Sequence, residues 1–228
     1  MRRSVLPLAA SLTFLIVAAA GGQSAETGSI AGHVTLTSRV KGAALASTAY
    51  PTRAVSSAVT HPIPEITNVV VYLEGVEFRG PPAPVKAVLL QEHETFVPHV
   101  VAITRGSIVE FPNEDPIFHN VFSLSSAAAF DLRRYPRGQS RSQLFAKPGI
   151  VKVYCHIHSH MSATILVLDQ PYFTVPAVDG SFELADVPPG EYTVVGWHER
   201  VGERLARVRV ERGRTATVDL SLPVEESR

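Results

Sequence analysis

Pro148-Gly149-Ile150-Val151-Lys152-Val153-Tyr154-Cys155-His156-Ile157-His158-Ser159-His160-Met161-Ser162-Ala163-Thr164-Ile165-Leu166-Val167-Leu168 reads as two apolar, β-branched strands joined by a short loop and opened by a Pro-Gly turn. The loop carries the only cysteine of the chain, with a histidine three residues on and a methionine six residues on. Soft thiolate, imidazole and a weak thioether at this spacing suit one copper ion. Upstream, after a strand-like run and an Asn-Glu-Asp-Pro turn, His119 offers the second imidazole of a two-His, one-Cys set with an axial Met.

Cys-x-x-His alone is a weak signal, because a lone cysteine is more often a small buried hydrophobe. The strand before His119-Asn120, the Pro-Gly strand before Cys155 and the methionine at +6 together carry the copper reading. If Cys155 and His158 point inward on the loop, His156 and His160 turn toward solvent or the opposite side. His160 stays open as an alternative ligand to Met161. His93 and His99 fall in the alternating run from Leu89 to Ile103 and read as strand histidines.

The segment 84–169 resembles a cupredoxin, of the amicyanin- and plastocyanin-like type 1 copper kind. The resemblance rests on Phe111-Pro112-Asn113 closing a strand, His119-Asn120-Val121, the strand into Cys155, and Cys-x-x-His-x-x-Met running into Ala163–Leu168. It implies a Greek-key β-sandwich in which His119, Cys155 and His158 are the equatorial ligands and Met161 the axial one. By the same resemblance Asn120 locks the ligand loop with a hydrogen bond.

The N-terminus gives a compartment. Met1-Arg2-Arg3 followed by the apolar run Val5–Ala20 reads as a signal peptide over residues 1–20, with small residues at a cleavage site near Ala20 or Ala25. An uncleaved anchor is the alternative; after cleavage no stable span remains. Export to the periplasm, or otherwise out of the cytoplasm, makes an unpaired thiol a liability unless something such as copper occupies it. Lys plus Arg equals Asp plus Glu at 21 each, which gives none of the basic field that a nucleic-acid partner requires.

Short strand signals punctuated by Gly, Pro and Asp run through the chain, and no long 3.6-residue period appears after residue 20. The class is therefore all-β, as sandwiches. Val178-Asp179-Gly180 to Pro188-Pro189-Gly190-Glu191-Tyr192 resembles the second half of a small carboxypeptidase regulatory-like (carbohydrate-binding-like) sandwich, whose first half matches Gly32-His33-Val34-Thr35-Leu36 and Val69–Leu73. This implies a cupredoxin inserted into that sandwich: 28–78 before it, with a mobile loop over 37–65, and 170–223 after it. A separate C-terminal sandwich is the rival arrangement. Trp197-His198-Glu199 reads as a cap or a face toward the other domain. The basic stretch Asp131–Arg141 reads as a solvated loop or as a docking patch for an acidic redox partner.

The expected function is that of an exported blue copper protein, not an enzyme, which carries single electrons between periplasmic redox proteins or from a dehydrogenase. Copper carriage or storage through the same ligands is the alternative, and a carbohydrate-binding or adhesion module a more distant one. A nucleophilic-cysteine enzyme would need a general base and an oxyanion hole, which nothing in the sequence argues for.

Overall fold

The computed structural model describes residues 27–37, 64–76, 78 and 80–224. The signal peptide expected over 1–20, its cleavage region and all but the ends of the loop expected over 37–65 lie outside the described residues. The described chain is all-β, as expected. Its strands are β1 (Gly28–Leu36), β2 (Val70–Glu74), β3 (Lys86–Val88), β4 (Leu90–Glu92), β5 (Thr95–Val97), β6 (Val100–Thr104), β7 (Ser107–Pro112), β8 (His119–Ser125) and β9 (Ala128–Tyr135). They continue as β10 (Ser140–Phe145), β11 (Gly149–Tyr154), β12 (Ser162–Leu168), β13 (Phe173–Thr174), β14 (Ser181–Val187), β15 (Gly190–His198), β16 (Gly202–Val210), β17 (Thr215–Thr217) and β18 (Leu220–Leu222). A single 3-10 turn, Glu65–Asn68, precedes β2.

Among the described residues, four larger sheets stack around three apolar layers, and β4 and β5 form a fifth, two-stranded one. β1 pairs antiparallel with β14 and parallel with β17 and β18, while β2 lies between β13 and β15, with β16 beyond at the edge. Ile30, Val69, Val71, Leu73, Leu184, Val194 and Leu222 fill the layer between these two sheets. Strands from both ends of the described chain thus share one core. Gly32 is needed where β1 runs close to the chain leading to β18, because a Cβ there would stand 1.7 Å from the carbonyl oxygen of Val218.

The middle of the chain forms the other two sheets, β10-β7-β3 and β6-β12-β11-β8-β9. Val109, Phe111, Val121, Tyr135, Phe145, Val151, Val153 and Ile165 fill the layer between them. β12 is buried along nearly its whole length, which is why Ala163–Leu168 is apolar at every position but Thr164. Alternate residues serve different layers: Ala163, Ile165 and Val167 face the inner core, whereas Leu166 and Leu168 join Val70, Val100, Val195 and Trp197 in the third layer. A strand covered on both faces loses the polar alternation of a half-exposed one.

The stretch Asp131–Arg141, one reading of which is a solvated loop, is instead largely strand. It completes β9, turns through Pro136–Gln139 and enters β10. Arg141 is taken up internally: its guanidinium lies 5.1 Å from the Tyr135 ring centroid and donates to the carbonyls of Leu132 and Arg134. Arg133 stays 84% exposed.

Candidate metal centre

His119 opens β8, and Cys155 follows the last residue of β11. Because β11 and β12 are paired up to Tyr154 opposite Ser162, residues 155–161 form a closed loop at one end of this hairpin. Two backbone bonds brace it. Cys155 N–H donates to the carbonyl of Met161 at 3.4 Å, and Met161 N–H donates to that of His158 at 3.0 Å. β8 pairs with β11 at Phe122 opposite Tyr154, which brings His119 beside the loop.

Three ligand atoms converge there. His119 Nδ1 lies 3.8 Å from Cys155 Sγ, His158 Nδ1 lies 3.9 Å from the same sulfur, and the two nitrogens are 3.1 Å apart. Among the described residues, these three side chains are the one group of His, Cys, Asp or Glu able to share an ion. Metal bonds of about 2.0 Å to imidazole and about 2.3 Å to thiolate, spread about 120° apart, would space the nitrogens by about 3.5 Å and each from sulfur by about 3.7 Å. The triangle therefore fits one first-row metal ion. A thiolate with two imidazoles and a buried thioether nearby is a donor set for copper.

Burial grades across the site. His119 is fully buried, Cys155 and Met161 nearly so, and His158 lies half-buried at the rim. Met161 packs in the inner core with Cys155. Burial pushes His158 below the ordinary histidine range. His160 is not brought to the triangle; its exposed ring lies 3.5 Å from the Glu94 carboxylate. His156 packs against Phe122, with ring centroids 3.7 Å apart and the planes tilted by 44°.

Asn120 ties β8 to the loop. Its amide oxygen accepts the backbone N–H of His156 at 3.1 Å, and its amide nitrogen donates to Asp131 at 2.7 Å. Sequence reasoning missed a second neighbour, Asp115, whose Oδ2 lies 2.7 Å from His119 Nε2. Burial alone would raise this carboxyl; the N–H groups of Glu94 and His93 and the His119 imidazole outweigh it and hold it below the usual range. The only signal was an acidic residue four positions before His119, in what read as a plain turn.

His99 and Trp197-His198-Glu199 serve elsewhere. Glu199 bonds His99, Lys152 and Thr164 beside the third apolar layer, and buried His198 pairs with Glu65 at 2.9 Å. No helix among the described residues is long and apolar enough to cross a membrane.

No family profile and no curated protein matches the chain. Several solved structures resemble part of it. A Cu-containing nitrite reductase from Thermus scotoductus SA-01 is 24% identical over 42% of this chain and 25% of its own, with a TM-score of 0.36. The purple cupredoxin from Nitrosopumilus maritimus is 20% identical over 36% of this chain and 99% of its own, with a TM-score of 0.33. A mutant of amicyanin in its reduced Cu(I) form is 18% identical over 43% of this chain and 98% of its own, with a TM-score of 0.35. The chain thus spans a quarter of the nitrite reductase.

Proposed function

We propose that this chain is an exported type 1 copper protein that carries single electrons between redox partners. The observation behind this reading is the triangle of His119 Nδ1, Cys155 Sγ and His158 Nδ1, within 3.1 to 3.9 Å of one another. His119, Cys155 and His158 would hold the ion, with the buried thioether of Met161 as the further ligand. Bound copper supplies a one-electron couple whose charge the thiolate shares.

The chain's own residues do the rest. The paired ends of β11 and β12 and the Asn120 bond to His156 hold the loop in one shape. Little therefore has to rearrange when the charge of the site changes. The inner core around Val121, Val153 and Met161 excludes water from the buried side, while His158 at the rim offers the exit for the electron. Residues 84–169 would be the cupredoxin unit, set between the two parts of a carboxypeptidase regulatory-like sandwich. The pairing of β1 with β14 and of β2 with β15 supports that arrangement. A periplasmic redox protein or dehydrogenase is the proposed partner, and the signal-like Met1–Ala20 supports export.

The test is to load the chain from about Gly21 with Cu(II) and record visible absorption and electron paramagnetic resonance beside a Cys155→Ser control. An intense thiolate charge-transfer band with narrow copper hyperfine splitting, both lost in the control, is the expected result. A colourless protein that binds Cu(I) and releases it readily would replace electron transfer with copper carriage.

A further inference from the structure

The Asp115 carboxylate is more elaborately placed than a turn residue needs to be. Its Oδ1 accepts the backbone N–H of His93 at 2.6 Å; its Oδ2 accepts that of Glu94 at 2.9 Å and faces His119 Nε2 at 2.7 Å. His93 and Glu94 are the two central residues of the β4–β5 hairpin, and both are held in the left-handed region, at φ of 53° and 54°. Neither is a glycine, so this conformation has a cost, and it aims two consecutive N–H groups at one carboxylate. From the other side, Asp115 N–H donates to Asn113 Oδ1 at 2.9 Å, while Asn113 Nδ2 donates to the carbonyls of Ile117 and Tyr135. The turn and the hairpin fix Asp115, and Asp115 meets a histidine that is fully buried.

A carboxylate only accepts hydrogen bonds, so its partner nitrogen on His119 must carry the proton. We propose that Asp115 is a positioning residue that holds His119 as the Nε2–H tautomer, leaves Nδ1 open in the ligand triangle, and so favours the cupric over the cuprous ion. The inference rests on the copper reading for its metal and on geometry for its tautomer. A carboxylate that partly draws off the imidazole proton makes the opposite nitrogen more basic. The more electron-rich donor gains more from a doubly than from a singly charged ion, because the attraction scales with charge.

Asp115→Asn separates this role from packing. The amide oxygen, in the place of Oδ1, can still accept from His93, but the amide NH2 then replaces the oxygen that served Glu94 and faced Nε2. It loses the Glu94 bond and donates to Nε2, driving the His119 proton onto Nδ1, where a metal has to bind. Nitrogen NMR of the metal-free protein should show Nε2 of His119 protonated in the wild type and Nδ1 protonated in the variant. Cu(II) affinity should fall about 10- to 100-fold in D115N, Cu(I) affinity by a clearly smaller factor, and the reduction potential should rise. Asp115→Ala, which cannot donate to Nε2, should weaken Cu(II) binding without imposing the Nδ1–H tautomer. A wild-type His119 protonated on Nδ1, or unchanged ratios of Cu(II) to Cu(I) affinity in both variants, would overturn the proposal. A wild-type protein with the Nε2–H tautomer that takes up no copper would instead remove the electron-carrier reading and keep only the positioning of His119.

Discussion

Lys152 and Glu199 form an ion pair, Nζ to Oε2 at 2.7 Å, between β11 and the end of β15. Thr164 donates to the same oxygen at 2.7 Å, and His99 binds the other. The network borders the apolar layer of Val70, Val100, Leu166, Leu168, Val195 and Trp197, so it orients one pair of sheets against the other where apolar packing alone has no direction. Glu199→Gln should lower stability by about 2 kcal/mol, in the range for hydrogen bonds to charged groups discounted for partial exposure. Denaturant midpoints near neutral pH would show it; a variant within about 0.5 kcal/mol of the wild type, the range of ordinary surface substitutions, would remove the network from the account.

The same network has a pH signature. Its bond to Glu199 raises His99 above the ordinary value of 6.5 despite opposing burial. That contribution is complete below pH 6.5 and fades as the pH climbs through the raised value in the folded protein. Glu199 is held well below its ordinary value of 4.5, first by His99 and then by Lys152 and Thr164 against burial. Its contribution is complete above that value and is lost as acid approaches the depressed one. Both are full between about pH 4.5 and about pH 6.5, so midpoint denaturant concentrations should fall above that window in the wild type. Glu199→Gln should flatten this fall.

The Asn120 bonds predict a kinetic effect. Asn120→Ala removes the acceptor for His156 N–H and the donor to Asp131, two part-buried bonds from a buried amide. Stability should drop by about 1 kcal/mol, since water can reach the exposed partners left behind. Because the bond to His156 adjoins Cys155, copper should also leave the variant faster when challenged with a chelator. A loss of stability with an unchanged release rate would make Asn120 a fold residue only.

What was legible in the sequence follows from burial. The hairpin of β11 and β12 announced itself because β12 is covered on both faces and reads as an unbroken apolar run. The early and late strands that pair as β1 with β14 and β2 with β15 were legible from their β-branched residues and flanking turns. β9 and β16 were not, since one face of each is solvated and carries arginines: the exposed positions of β16 include Arg207 and Arg209. His119, Cys155 and His158, whose ligand atoms the fold brings together, were legible because they sit at a strand end or in the short loop that follows one. Asp115 could not be told from an ordinary turn residue, because the hairpin N–H groups that fix it come from another part of the chain, and the partners of Glu199 are all brought to it by the fold.

Arg133 and Arg134 lie on β9, and Arg134 pairs in register with Asn120 next to the site. Arg133 is 84% exposed and neither guanidinium supports the core. Replacing both with Glu should leave the copper spectrum intact and slow oxidation of the reduced protein by an anionic inorganic oxidant such as hexacyanoferrate. Charge steering of this kind fades with salt over a Debye length of about 10 Å at 0.1 M. Equal rates for the two proteins at low salt would show that electrons leave by another face.

Met161 and His160 make opposite predictions about the axial position. Met161 is 1% exposed and packed with Cys155, whereas the His160 ring is out in solvent beside Glu94. His160→Ala should therefore leave the absorption spectrum and the potential of the copper-loaded protein unchanged. Met161→Leu conserves volume and should cost less than about 1.5 kcal/mol of stability, which makes any spectral change attributable to the lost thioether. Met161→Gln substitutes an oxygen donor that favours Cu(II), so the potential should fall. If the Met161 variants keep the wild-type spectrum and potential while His160→Ala changes them, the loop rearranges on metal binding and His160 takes the axial place.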